Sequence, residues 1–296
     1  MPSAHPTSFL IRATPLTFAL LWSSGFIVAK YAAPYADPFT FLSARFGLAA
    51  LILVLIAVAM RAPWPTSAGG IVHSVVAGML LHGGYLGGVW WAIFAGLPAT
   101  LAGLLTAGQP LLTALLAAPL LGERVGWRQW AGIGAGFAGI VLVLMPRLAG
   151  VDPSALAGAT TPMIVAAAGV VSVTLGTLYQ KRFVAHTDLR TGTTLQYLGA
   201  LAVVAPLALL TEPMRFEPTV SLLVALAVSV LVLSIAAIAL LLLMIRRGEV
   251  SRVAALLYLV PPLTAIEAFL LFGESLTAIQ IVGMVFAAAG VWLATR

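Results

Sequence analysis

One stretch of this chain occurs twice, and that duplication limits what the chain can fold into. Residues 109–139 and 260–290 align without a gap at an offset of 151 positions. The offset superimposes identical residues, namely Pro110 on Pro261, Glu123 on Glu274, Gly139 on Gly290 and, further upstream, Gly25 on Gly176 and Lys30 on Lys181. The repeat therefore reaches back to the first apolar segment of each half. An internal repeat of this length predicts two copies of one structural unit.

The amino-acid composition indicates whether these copies fold in water or in a membrane. Of the 296 residues, 61% are hydrophobic and 8% are charged, whereas a soluble domain has about 25% charged residues. So few charges predict a protein that crosses the membrane several times, with the lipid bilayer as its surroundings.

Several function classes are excluded by what the chain lacks. The basic residues stand singly between apolar runs, so no nucleic-acid surface is predicted. The absence of cysteine excludes disulfides and thiol chemistry. None of the histidines has a second metal ligand at a suitable spacing, and neither a hydrolase motif nor an ATP-binding motif occurs. We expect no enzyme activity, no metal and no cofactor.

The apolar runs predict ten membrane-spanning helices, because each run has about the 20 residues that a bilayer crossing requires. Barrel strands would be half as long. The first run resembles a signal peptide, but its counterpart in the repeat lies in mid-chain, so we interpret it as a helix. The predicted spans lie near residues 13–32, 38–60, 68–92, 97–121, 127–146, 162–182, 189–210, 218–245, 250–272 and 275–295.

Charge distribution predicts the orientation of these helices. With both termini in the cytoplasm, most Lys and Arg residues fall in inner loops, and the outer loops hold only Lys30, Arg147 and Arg215. Because each copy has an odd number of helices, the second copy enters the membrane inverted. The predicted units are residues 1–147 and 162–296, joined by an outer connector at 148–161. The predicted fold is thus all-α, with two inverted five-helix repeats in a bacterial-type inner membrane.

The motif residues of both halves carry a resemblance. Gly122 and Glu123, followed by Gln129, Trp130 and Gly132, resemble the EamA-type signature of the drug/metabolite transporter superfamily, and Gly273, Glu274, Gln280 and Gly283 match its second half. Arg45, which Phe46 follows, resembles the Arg-Phe pair at the start of the family's second helix. The resemblance implies a secondary transporter, commonly an exporter of amino acids, aromatic ones included, or of other small metabolites. Family members also move drugs, cations and nucleotide sugars.

Polar and aromatic residues at mid-span predict the substrate site, because such folds bind substrate near the bilayer midplane between the repeats. They come from the first, third, fourth, sixth, eighth and ninth spans. The candidates are Trp22, Ser23, His82, Tyr85, Thr106, Gln109, Ser172, Thr174, Ser234 and Tyr258.

The chemistry of this set restricts the cargo. It contains no Lys, Arg, Asp or Glu, which disfavours phosphorylated molecules and favours neutral or zwitterionic ones with an apolar body. A purely structural alternative stays open, in which Ser and Thr tie helices together and the aromatic residues fill space.

Four further residues are candidates for gating or coupling. Pro110 and Pro261 occupy matched positions, and each frees a carbonyl one turn earlier and could act as a hinge. Arg45 and Glu267 lie at similar depths near the outer side, so they could pair, or Glu267 could carry a coupling proton.

Inverted repeats make alternating access geometrically simple, so the sequence favours a carrier for small molecules. A drug or cation efflux carrier and a channel-like uniporter remain as alternatives. Both a monomer and a homodimer are compatible with the sequence.

Overall fold

A computed structural model of the chain describes residues 6–150, 158–248, 250–272 and 276–295. These residues are helical apart from their loops and one isolated bridge between Ala36 and Phe216. Part of the predicted connector, and the motif residues Gly273 and Glu274, lie outside the described residues.

The helices follow the predicted spans closely, and several have internal breaks. We number them α1 (Pro6–Ala32), α2 (Pro38–Ala59), α3 (Ala68–Phe94), α4 (Ala99–Thr106 and Gln109–Leu121), α5 (Trp127–Leu148), α6 (Thr160–Val184), α7 (Leu189–Thr211), α8 (Val220–Arg247), α9 (Val250–Ala255, Leu256–Leu259 and Val260–Phe272) and α10 (Ala278–Ala294).

Eight of these helices, α2 to α9, are long and apolar enough to cross a membrane by length and composition. Helix α10 is apolar but shorter, with 17 residues. The all-helical membrane fold is confirmed, whereas the number of ten crossings stays a prediction.

Local side chains determine where several helices begin. Ser67 accepts a hydrogen bond from Gly70 N at the start of α3, and Thr277 forms a capping box with Gln280 at the start of α10. Asp188 caps α7 in the same way, and the hydrogen bond from the Arg190 side chain holds the pKa of Asp188 below its usual range. Loop residues outside the apolar spans thus fix the helix ends.

Helices α5 and α10 pack closely along glycines. A Cβ at Gly132 would lie 2.6 Å from Gly290 O, and one at Gly139 would lie 2.7 Å from Gly283 O. Rising residue numbers in α5 meet falling numbers in α10, so the helices are antiparallel. Gly132 and Gly139 correspond to Gly283 and Gly290 at the repeat offset of 151 positions, so the two contacts are equivalent to each other. Small residues let helix backbones approach this closely.

Contacts at one end of the bundle bring loops of both halves together. Lys181 Nζ, at the end of α6, donates to Ile245 O near the end of α8 at 2.8 Å. Thr191 Oγ1, at the start of α7, donates to Pro63 O in the loop after α2 at 2.9 Å. These are the loops in which most of the basic residues lie.

Glu212 organises the opposite end. Its carboxylate follows α7 and accepts hydrogen bonds from Phe39 N at 2.7 Å and Thr40 N at 2.8 Å, so it caps α2. Arg215 N donates to Asp37 Oδ2 at 2.8 Å beside it. The ends of α2 and α7 are therefore joined by polar contacts.

The family motif at Gly122 and Glu123 has a structural role. Gly122 ends α4 in the left-handed region at φ 71°. Glu123 then accepts from Val250 N at 2.9 Å and Ser251 Oγ at 3.1 Å, so it caps α9. The motif therefore forms the turn that ends α4, and its carboxylate caps the start of α9.

Four departures from α-helical geometry occur at matched positions in the two halves, and a further π-helical segment, Gln180–Val184, ends α6. Helix α3 contains a π-helical segment at Met79–Gly84, and α8 contains one at Ser229–Ala237. The break in α4 lies at residues 107–108, and the 3-10 turn of α9 spans Leu256–Leu259. π-Helical segments often mark functional positions in helices. All four segments lie at or next to the centre of the bundle.

Candidate functional site

A small cavity lies between helices of both halves of the bundle. Its volume of about 20 Å³ is close to the room that one or two water molecules need. Its polar and aromatic lining residues are Trp22, His82, Gln109 and Thr177, and the others are aliphatic. No charged side chain is among these lining residues. In this conformation the cavity is too small for an amino acid.

Six helices contribute to this lining, namely α1, α3, α4, α6, α8 and α9. They are the six spans in which the sequence placed the mid-membrane polar residues. The irregular segments explain part of the geometry, because His82 lies in the π-helical segment of α3 and Leu257 in the 3-10 turn of α9.

Three predicted binding residues meet at this cavity. His82 is 3% exposed and Gln109 is 5% exposed, and Trp22 is partly buried with its ring 5.3 Å from that of Phe18. His82 Nε2 is buried and has no partner among the described residues. Gln196 is the polar side chain that lies against the His82 ring.

The hydroxyl groups of four other candidates are engaged elsewhere. Thr106 and Thr174 donate to carbonyls of their own helices, at 2.9 Å and 2.8 Å. Ser172 donates to Leu80 O at 2.9 Å and so joins α6 to α3. Ser23 contacts α9. None of these four is among the residues that line the cavity, and both the binding role and the structural alternative stay predictions for them.

Both candidate tyrosines point away from the cavity. Tyr85 packs between α4 and α6. Tyr258 is 1% exposed and packs against α5, where a Cβ at Gly136 would lie 2.3 Å from its ring. Its hydroxyl is buried without a partner in the described part of the chain. Tyr258 therefore belongs to the interface of α9, α5 and α10.

Arg45 and Glu267 have different partners, so the predicted pair does not form in this conformation. Arg45 Nε donates to Ser234 Oγ at 2.8 Å, and both residues are buried. Glu267 lies against α1, where its Oε1 is 2.5 Å from Ser23 Oγ. The two side chains contact different helices, α8 and α1.

The candidate hinge prolines flank the cavity. Pro110 follows Gln109 directly after the break in α4, and Pro261 follows the 3-10 turn of α9 that contains Leu257. Each helix is therefore already irregular one turn before its proline. The hinge motion itself stays a prediction.

Sequence reasoning missed three buried polar residues at or near the cavity. Thr177 lines it directly, and its hydroxyl donates to Val173 O at 2.6 Å. Gln196 Nε2 donates to Gln180 Oε1 at 2.9 Å behind His82. The repeat could have identified Gln196, because Gln196 occupies the position in the second half that corresponds to Arg45 in the first.

Metal binding has no support within the described ranges, where no group of three or more His, Asp or Glu side chains could hold an ion.

Comparison with known proteins places this geometry among transporters. The EamA-like transporter family matches residues 13–145 and again residues 160–296. A probable amino-acid metabolite efflux pump of Salmonella typhimurium is 25% identical over 94% of this chain and 92% of its own. The protein of that name in Escherichia coli is 24% identical over the same shares. A solved crystal structure with 24% identity covers 95% of both chains at a TM-score of 0.79, so the fold is shared.

Proposed function

Because the chain belongs to the EamA-like transporter family of the drug/metabolite transporter superfamily, we propose that it exports amino acids, aromatic and other neutral ones, and similar small metabolites across the inner membrane by alternating access. It is an integral, multi-pass membrane protein whose substrates are small molecules. The names of the two bacterial relatives support amino-acid metabolites as cargo.

The observation that carries this proposal is the central cavity. It lies between the two family repeats and is lined by an indole, an imidazole, an amide and a hydroxyl among aliphatic side chains. Such a lining suits a molecule with an apolar body and a few polar groups. A phosphorylated molecule would find no cation in this lining.

The inverted relation of the repeats is part of the proposal. The antiparallel glycine contacts of α5 and α10 support it, because the repeat offset converts one contact into the other. The location of most basic loops at one end of the bundle supports cytoplasmic termini. In such an arrangement, the halves exchange conformations and the cavity opens to each side in turn.

Polar contacts join the helices on both sides of this cavity. At one end, Glu123 and Lys181 join the ends of α4, α6, α8 and α9. Toward the other end, Ser23 and Glu267 join α1 to α9. Transport would require these polar contacts to break alternately.

Glu267 is the proposed coupling residue. Ser23 Oγ donates to Glu267 Oε1 at 2.5 Å. An acid within a membrane-spanning helix is costly in its charged form, so Glu267 is a candidate to take up and release a proton during transport. Its contact with α1 supports this role, because a change in its charge would alter a contact between two helices.

Flux into liposomes that contain the purified protein tests the proposed function. Aromatic, aliphatic and charged amino acids are compared with and without a pH gradient. We expect saturable flux of Trp, Phe and neutral aliphatic amino acids. Failure of all amino acids, while a cationic drug or a phosphorylated sugar crosses, would contradict the substrate assignment. Flux that does not saturate would contradict a carrier.

A further inference from the structure

Arg45 is a buried cation whose hydrogen-bonding capacity is mostly unused. It lies in α2 with 6% of its surface exposed, and its Nε donates to Ser234 Oγ. Its guanidinium carbon lies 5.8 Å from the centre of the Phe46 ring. The two Nη nitrogens have no acceptor within the described residues. A guanidinium has five N–H donors, so one is used and the other four are available.

The charge of Arg45 is also unbalanced. Among the described residues, no carboxylate interacts with Arg45, and its ionisable neighbours are Tyr197 and His82. An isolated charge inside a membrane protein is costly unless it is paired. Its counter-charge is therefore expected to come from a bound molecule.

Three polar side chains, namely His82, Gln196 beside it and Gln180 beyond Gln196, have unmet hydrogen-bonding capacity as well. His82 Nε2, Gln196 Oε1 and Gln180 Nε2 are sealed from solvent and have no partner in the described part of the chain. The His82 ring lies 4.9 Å from the ring of Tyr197.

These residues connect Arg45 to the central cavity. His82 lines the cavity, and its ring lies 6.1 Å from the ring of Phe46, which the Arg45 guanidinium also contacts. On the other side, Ser234 lies four residues before Ile238, which also lines the cavity. A substrate that enlarges the cavity would thus meet the Arg45 guanidinium at the edge formed by α3 and α8.

We propose that Arg45 binds the carboxylate of the transported molecule. Its planar guanidinium matches the two oxygens of a carboxylate. A single cation without a second one nearby balances one negative charge, which fits a carboxylate better than a phosphate dianion. This inference rests on the proposed function and narrows it to substrates that carry one carboxylate, amino acids included, and it excludes the corresponding amines and amides.

Competition in the liposome assay tests this proposal. Uptake of labelled phenylalanine is inhibited by unlabelled phenylalanine or by phenylalaninamide, which keeps the ring and the ammonium group but lacks the carboxylate. Threonine and threoninamide form a second pair. We expect the acid to compete about 10- to 100-fold better than the amide in the wild-type protein. In Arg45→Gln this ratio should fall towards one, whereas Arg247→Gln, a change of an exposed arginine, should preserve it.

The outcomes separate the two proposals. If no amino acid is transported by the wild-type protein, the proposed function fails. If amino acids are transported but acid and amide compete equally, or if Arg45→Gln keeps the wild-type ratio, the role of Arg45 fails. Should Arg45→Gln not fold, Arg45→Met replaces it, because methionine is a long, flexible side chain without the charge. An unchanged ratio in Arg45→Met would then contradict the proposal.

Discussion

At the residue scale, Glu267 is an acid within α9 whose Oε2 is buried without a partner among the described residues. Ser23 is its hydrogen-bond partner, and no other described titratable group acts on it. A protonated acid fits this environment better than a carboxylate, because a charged group would be left largely uncompensated.

We therefore predict that Glu267→Gln abolishes the stimulation of transport by a pH gradient. The amide mimics the protonated acid but cannot release a proton. Exchange of substrate without a gradient should persist. The measurement is uptake into liposomes with and without a pH gradient. Glu217→Gln, at an exposed loop position, is the control and should respond as the wild type does. Full stimulation in Glu267→Gln would rule out this coupling role.

The site residues show what sequence can and cannot predict at this scale. Depth in the membrane follows from position in the span, so Trp22, His82 and Gln109 were found at the level of the cavity. The direction in which a side chain points around the helix axis does not follow from its position in the span, because each residue turns that direction by about 100°. Tyr258 has the right depth but faces α5, whereas Leu257 beside it lines the cavity.

At the element scale, the contact between α5 and α10 predicts unequal effects of glycine substitutions. A Cβ at Gly139 would lie 2.4 Å from Ala287 N, which is backbone and cannot move aside, whereas nothing lies within 4 Å of a Cβ at Gly134. Gly139→Ala should cost about 1–3 kcal/mol. Gly134→Ala, the matched control in the same helix, should be neutral or stabilise by up to about 1 kcal/mol.

Thermal unfolding in detergent measures this difference. The expected result is a lower unfolding temperature for Gly139→Ala than for Gly134→Ala. Equal unfolding temperatures would mean that the two helices do not pack along these glycines.

Helix positions could be predicted to within a few residues, because apolar length and loop residues such as Gly122 and Thr219 are local signals. The π-helical segments and the 3-10 turn could not be predicted from the sequence. They depend on packing between helices, as where the Ser172 hydroxyl reaches the π-helical segment of α3 at Leu80 O. Composition carries no signal for such contacts.

At the scale of the whole molecule, the inverted arrangement predicts opposite sidedness for equivalent loops. Thr66 and Glu217 are exposed positions related by the repeat offset. The chain has no native cysteine, so a single introduced cysteine is the only thiol. In intact cells, a membrane-impermeant maleimide should label Glu217→Cys from outside. Thr66→Cys should react only after the membrane is permeabilised. Labelling of both from the same side would contradict inverted repeats.

The duplication itself could be read from the sequence, since the two family matches fall on the two halves. The way in which the halves meet could not, because contacts such as Glu123 with Val250 join residues far apart in the chain. Gly122 and Glu123 are neighbours in the sequence, but the sequence does not show that the Glu123 carboxylate caps α9.

The most direct test of the central claim is the accessibility of a cavity residue from both sides of the membrane. Thr177 lines the cavity and a cysteine there is similar in size. In a transport-active Thr177→Cys protein, an impermeant maleimide should react when added to either side, and substrate should slow both reactions. Ala200→Cys, at a fully buried position away from the cavity, should not react. Reaction of Thr177→Cys from one side alone, while transport continues, would contradict a cavity that opens alternately to each compartment.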